Sequence, residues 1–153
     1  MAQTPRKTVL LTTGATSPFP SLISSALSSQ VLAALAACGY THLRIQYGAS
    51  ELTFTSLSPK DASVISVAGF NFVESLRDEI AQADLVISHA GSGSILDALR
   101  FQKRLIVVPN EALMGNHQKE LAEELGRQGY LVEGCVGYVK LPPAVGLHRF
   151  ELM

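Results

Sequence analysis

The chain reads as an α/β domain: a Rossmann-like, mainly parallel sheet with helices on both faces. Three observations predict it. Strand-like and helix-like patterns alternate from residue 8 to residue 133. The strand segments read as apolar throughout rather than alternating, as expected when helices cover both faces. Two strands, ending in Thr12-Thr-Gly-Ala-Thr16 and in Ser88-His-Ala-Gly-Ser-Gly-Ser94, run into turns with almost no side-chain bulk before the next helix.

In chain order, strands are expected at residues 8–13, 42–47, 64–68, 85–88 and 105–108, with a fainter one at 130–133. Helices are expected at 22–37, 72–83, 94–101 and 117–128. The first places Leu22, Ile23, Ala26, Leu27, Val31 and Leu35 at helical spacing, and Gly39 stops it. Pro18 and Pro20 fall in the loop before it, where they cost nothing. Residues 49–62 mix Ser, Thr, Pro and charge without a period and read as a surface loop or short hairpin. Beyond Gly134 the pattern weakens, Pro142-Pro143 breaks any long helix, and residues 144–153 are left room for a short terminal helix.

At 153 residues the chain fits one domain, 1–153, with its tail 135–153 poorly assigned. Hydrophobic residues make up 47% and charged ones only 16%, below the roughly 25% usual in soluble proteins, and mean hydropathy is +0.24. That balance builds a proper core and suggests an apolar face kept for a partner. A net charge of −1 offers no basic field for nucleic acid or an anionic membrane. Cys38 and Cys135 have no metal-ligand spacing and read as free thiols of a reducing compartment. The first seven residues lack the apolar core of a signal peptide. The apolar helix stretch 31–37 falls far short of the ~20 residues that span a bilayer. A cytoplasmic protein is expected, reaching a membrane only through another chain, with no metal and no cofactor.

The strand-turn-helix junction at Gly91, Ser92, Gly93 and Ser94 is the strongest functional signal. Such a turn offers free backbone N–H groups and the positive end of a helix dipole, and its natural guest is an anion, usually a phosphate. A dinucleotide fingerprint would need glycine at position 96, where Leu96 stands, and no GxxxxGK[ST] loop exists. Ser92 and Ser94 also suit helix N-caps, and Ser94-Ile-Leu-Asp97 resembles a capping box. Asp97 is therefore either a cap or a carboxylate that accepts ribose hydroxyls. His89 sits where ligands bind in open α/β sheets, yet an isolated histidine there can be structural. Asn116, His117 and Gln118 form a neutral hydrogen-bonding run suited to sugar hydroxyls, with Asn116 equally able to cap a helix. Phe70-Asn-Phe72 could flank a base, although two core aromatics account for it as well.

Ser88-His-Ala-Gly-Ser-Gly-Ser-Ile-Leu-Asp97, then Leu105-Ile-Val-Val-Pro-Asn110 and Leu113-Met-Gly-Asn-His-Gln118, resemble the MurG-like glycosyltransferase family. Within it the likeness is to the small UDP-N-acetylglucosamine transferase subunits of the dolichol-linked N-glycan pathway. Thr12-Thr-Gly-Ala-Thr-Ser-Pro-Phe-Pro20 and Gln46-Tyr-Gly48 extend it over most of residues 8–133. The resemblance implies the donor half of a GT-B enzyme, with Gly14, Thr16 and the 91–94 turn facing the diphosphate. It puts Asp97 on the ribose and His117 and Gln118 on GlcNAc, while Gly115 brings no side-chain contact. It implies an inverting transfer from UDP-GlcNAc to GlcNAc-diphosphodolichol. A membrane-anchored partner on the cytosolic face of the endoplasmic reticulum would supply the acceptor half and the general base. The alternative is a non-catalytic nucleotide-sugar-binding or regulatory module of the same fold.

Overall fold

The computed structural model describes residues 5–14, 18–59, 64–89 and 92–108, helical positions 120, 124 and 127, and strand pairs 132–133, 139–140 and 149–150. Six strands, β1 (Thr8–Thr12), β2 (His42–Gln46), β3 (Ser66–Phe70), β4 (Leu85–Ser88), β5 (Arg104–Val107) and β6 (Val132–Glu133), form one sheet in the order β3-β2-β1-β4-β5-β6. Every pairing in it is parallel. The helices are α1 (Pro20–Ala26), α2 (Ser29–Ala37), α3 (Glu51–Leu57), α4 (Leu76–Gln82) and α5 (Ser92–Arg100).

The apolar runs of β1, β4 and β5 are apolar because they feed two cores. Val9, Leu11, Leu85, Ile87 and Ile106 pack with Leu22, Ile23, Val31 and Leu35 of α1 and α2 on one face. Leu10, Val86, Leu105 and Val107 pack with Ile80 of α4 and with Ile95 and Ala98 of α5 on the other. Continuous burial stops there. In β2, His42 and Arg44 are only half-buried between buried neighbours, and edge strand β3 leaves Ser66, Ala68 and Gly69 exposed.

Several boundaries differ from expectation, each for a local reason. The helix expected at 22–37 is two helices bent by 57°. Ser28 interrupts it: its hydroxyl donates to the Ser25 carbonyl (2.8 Å) and accepts the Val31 N–H (3.3 Å), capping a new start. Pro20 is the first residue of α1 rather than part of the loop, a position where its missing N–H is harmless. The expected loop at 49–62 holds a 3₁₀ turn (Gly48–Ser50) and α3. The period of α3 was masked because only Phe54 turns inward, stacking on Tyr47 at 5.2 Å, while Leu52 and Leu57 face solvent. β3 starts two residues later than expected, and α4 begins only at Leu76.

Positions 120, 124 and 127 of the helix expected at 117–128 are helical, and its other positions lie outside the described residues. Where a terminal helix was expected, β8 (Arg149–Phe150) pairs antiparallel with β7 (Val139–Lys140). Cys38 is a free thiol, and Cys135 lies outside the described residues. Among the described residues no single helix is long and apolar enough to cross a membrane. The strand order reverses direction between β1 and β4. In open parallel sheets the crevice beyond the strand carboxyl ends at that reversal is where ligands bind.

Candidate functional site

A cleft of about 250 Å³ opens at that point. The strand ends contribute Thr12, Gly14, Gln46 and His89; the start of α5 contributes Gly93 and Ser94; the approach to α4 contributes Phe72, Val73 and Leu76. Thr12 and Ser88 are register partners, so the turns after β1 and β4 leave the sheet side by side.

Close backbone approach requires glycine here. Gly14 has φ +86°, and a Cβ on it would lie 2.4 Å from His89 Nε2. Gly48, with φ +51°, would bring a Cβ to 2.9 Å from the Gly14 carbonyl oxygen. Gly93 differs: a Cβ there would meet nothing within 4 Å, so its missing side chain leaves open space at the cleft. The first N–H groups of α5 have no partner inside the helix, and no acidic residue occupies its first turn. Within that first turn nothing acidic offsets the positive end of its dipole.

His89 is packed against Gly14, and its Nδ1 is buried without a hydrogen-bond partner among the described residues. Burial pushes its pKa below the ordinary 6.5, against a backbone hydrogen bond to Thr12 that pulls the other way. The ring is therefore neutral near pH 7. Attraction for an anion falls to the α5 terminus and backbone donors rather than to an imidazolium.

Of the residues singled out from sequence, Gly14, His89, Gly93 and Ser94 come together in this cleft. Ser92 is placed as the first residue of α5. Thr16, Gly91, Asn116, His117 and Gln118 lie outside the described residues. Asp97 does not line the cleft; its Oδ1 lies 3.8 Å from Arg77 Nε and 3.9 Å from Arg100 Nη1. The capping-box reading of Ser94 and Asp97 fails, because the helix starts at Ser92 and puts Asp97 beyond its first turn. The paired-core reading of the two phenylalanines fails for one of them. Phe70 packs against a core, but Phe72 is 56% exposed at the cleft. Sequence reasoning also passed over Gln46, although a polar residue ending a strand beside Gly48 was a readable signal.

A larger cavity, about 350 Å³, lies at the opposite, amino end of the strands beside Arg6, Thr8 and Asp84. Its charges are largely satisfied internally. Arg44 donates twice to Glu79 (2.8 and 2.9 Å), and the Thr8 N–H donates to Asp84 Oδ2 (2.8 Å). Neither cavity holds a metal-ligand cluster: no group of three His, Cys, Asp or Glu among the described residues could hold an ion.

Residues 8–137 match the glycosyltransferase family 28 C-terminal domain. The UDP-N-acetylglucosamine transferase subunit ALG13 of Yarrowia lipolytica is 44% identical over 145 residues, covering 92% of this chain and 72% of that protein. The subunit of the same name from Mus musculus is 36% identical over 141 residues, covering 92% of this chain and 12% of that protein. The NMR solution structure of ALG13 superposes with a TM-score of 0.66 at 34% identity, over 85% of this chain and 79% of that one. Acinetobacter baumannii MurG shares the fold, with a TM-score of 0.65 at 20% identity over 88% of this chain and 38% of that one.

Proposed function

This chain belongs to the glycosyltransferase family 28 C-terminal domain family, among the ALG13-type UDP-N-acetylglucosamine transferase subunits, and from that premise we propose that it is the donor-binding subunit of a two-subunit enzyme. The reaction is transfer of GlcNAc from UDP-GlcNAc to GlcNAc-diphosphodolichol, the second step of lipid-linked oligosaccharide synthesis. The observation that carries the reading is the glycine-lined cleft at the β1/β4 reversal, with the first turn of α5 opening onto it. A sugar nucleotide needs a place where backbone N–H groups can reach a diphosphate, and the missing side chain of Gly93 supports that.

In the reaction the acceptor hydroxyl attacks the anomeric carbon from the face opposite UDP. The bond from that carbon to the UDP oxygen breaks, and the configuration inverts. Negative charge grows on the departing diphosphate, where donors fixed in advance lower the barrier without reorganising. We assign that task to the 91–94 turn with Gly14 and Thr16. His89 supports the Gly14 turn as a neutral ring and Phe72 flanks the base; Asp97, although outside the cleft lining, takes the ribose on the strength of the family motif it ends. Asn116, His117 and Gln118 read the GlcNAc. The base that receives the acceptor proton, and the contact with the lipid, belong to a membrane-anchored partner on the cytosolic face of the endoplasmic reticulum.

The test is a transfer assay with the chain alone, with the partner membranes alone and with both, beside UDP and UDP-GlcNAc titrations of the chain. The expected result is donor binding by the chain and turnover only with both. Turnover by the chain alone contradicts the division of labour. Donor binding with no turnover in any combination makes it a binding module instead.

A further inference from the structure

We propose that Gln46 is a positioning residue for the donor site: through the Thr12 hydroxyl it fixes the orientation of the Gly14 turn. The inference rests on the donor-binding reading of the cleft. Gln46 ends β2, is only 4% exposed and lines the cleft. Three hydrogen bonds from the neighbouring strand converge on it. Thr12 Oγ1 donates to its side-chain Oε1 (2.7 Å), and Thr13 donates to its backbone carbonyl through both Oγ1 (3.0 Å) and N–H (3.3 Å). A threonine hydroxyl has one proton to give. With that proton committed to Gln46, the lone pairs of Thr12 Oγ1 are left for the Gly14 N–H, 3.4 Å away.

The chain of contacts therefore runs from the Gln46 amide oxygen through the Thr12 hydroxyl to the Gly14 peptide. From the other side, the His89 ring fills the space of a Gly14 Cβ, and the Gly48 backbone closes on the Gly14 carbonyl. A peptide held at a positive φ between those contacts has one orientation. The chemistry of residue 46 follows. Leucine would leave the fully buried Thr12 hydroxyl without an acceptor. Glutamate would accept the proton but bring a buried negative charge beside a site reserved for an anion.

A residue that orients the donor cradle without touching the reacting atoms should change donor affinity rather than the chemical step. In the transferase assembled with its membrane partner, Gln46→Leu and Thr12→Val should each raise the KM for UDP-GlcNAc about tenfold, with kcat within about twofold. Thr12→Ser, which keeps the hydroxyl, should restore the KM. The double variant Gln46→Leu/Thr12→Val should be no worse than either single one, because both break the same link. A merely structural role would lower the melting temperature and the yield of active enzyme while leaving the KM in place. If Gln46→Leu does not fold, Thr12→Val decides alone, since it keeps the shape of the side chain. An unchanged KM in Thr12→Val, with a raised KM in Gly93→Val, overturns the positioning role and leaves the donor site standing. An unchanged KM in all three variants overturns both.

Discussion

Gly93 and Gly14 both line the cleft for want of a side chain, and substitution separates their reasons. A Cβ on Gly93 meets open space, so Gly93→Ala should hold or raise stability by up to about 0.5–1 kcal/mol, since alanine is the better helix former. The same methyl intrudes where a diphosphate would approach, so UDP affinity should fall, and further in Gly93→Val; thermal melting and UDP titration on one preparation check both halves. Gly14→Ala should instead cost stability, about 1–2 kcal/mol for the positive φ and more for displacing the His89 ring. His89 adds a pH signature. Its folded pKa lies below the ordinary 6.5, so the unfolded chain takes up that proton first as pH falls. The stability it contributes is whole above about pH 6.5 and is lost as pH drops through the folded value. The melting temperature of the unaltered chain should then fall more steeply as pH drops below about 6.5 than that of His89→Gln. For Asp97, whose arginine partners are more than half exposed, Asp97→Asn should cost under about 0.5 kcal/mol of stability. If its carboxylate holds the ribose, UDP binding should weaken by about 1.5–3 kcal/mol; equal affinity in the variant removes that role. The glycines and His89 were legible because turn chemistry is local. Gln46 was legible only as a polar strand end beside Gly48, and its link to Thr12, 34 positions away, was not; nor was Phe72, because two aromatics so close in sequence do not reveal which one the fold buries.

Between elements, the sequence carried the alternation and the parallel sheet but not every break. The core face of the first helical stretch was readable from Leu22 to Leu35, yet Ser28 divides it with a cap whose geometry lies in two short-range hydrogen bonds. Ser28→Ala should cost about 1 kcal/mol, read from denaturant unfolding, with no effect on UDP affinity. α3 was hidden for the opposite reason. One inward aromatic serves it, and a helix with Leu52 at 83% exposure shows no stripe. That aromatic is fixed by β3: a Cβ on Gly69 would fall 2.4 Å from the Phe54 ring, so the small residue of the edge strand and the helix above it belong together. The strand order itself could not be read from sequence. It arises because α1 to α3 cover one face and α4 and α5 the other, so the chain crosses over after β3 and lays β4 beside β1, and this adjacency sets the Gly14 turn against His89.

For the whole molecule, the cleft at the β1/β4 reversal and the polar cavity at the amino end of the strands compete as the ligand site, and volume favours the wrong one. The amino-end cavity is larger, but Arg44 and Glu79 satisfy one another there and Asp84 is taken by the Thr8 N–H, whereas the cleft offers the start of α5 and space without side chains. The organisation of the molecule places the first turn of α5, the Gly14 turn and Phe72 around one opening while Leu52, Val64 and Leu96 leave apolar surface elsewhere. The direct measurement is a backbone amide perturbation map of the chain titrated with UDP-GlcNAc and, separately, with UDP. Perturbations should centre on Gly14, His89, Gly93 and Ser94, spread to the Asn116–Gln118 run only with the sugar present, and vanish in Gly93→Val. Perturbations centred on Arg6, Arg44 and Asp84, or a map unchanged by Gly93→Val, would contradict the account.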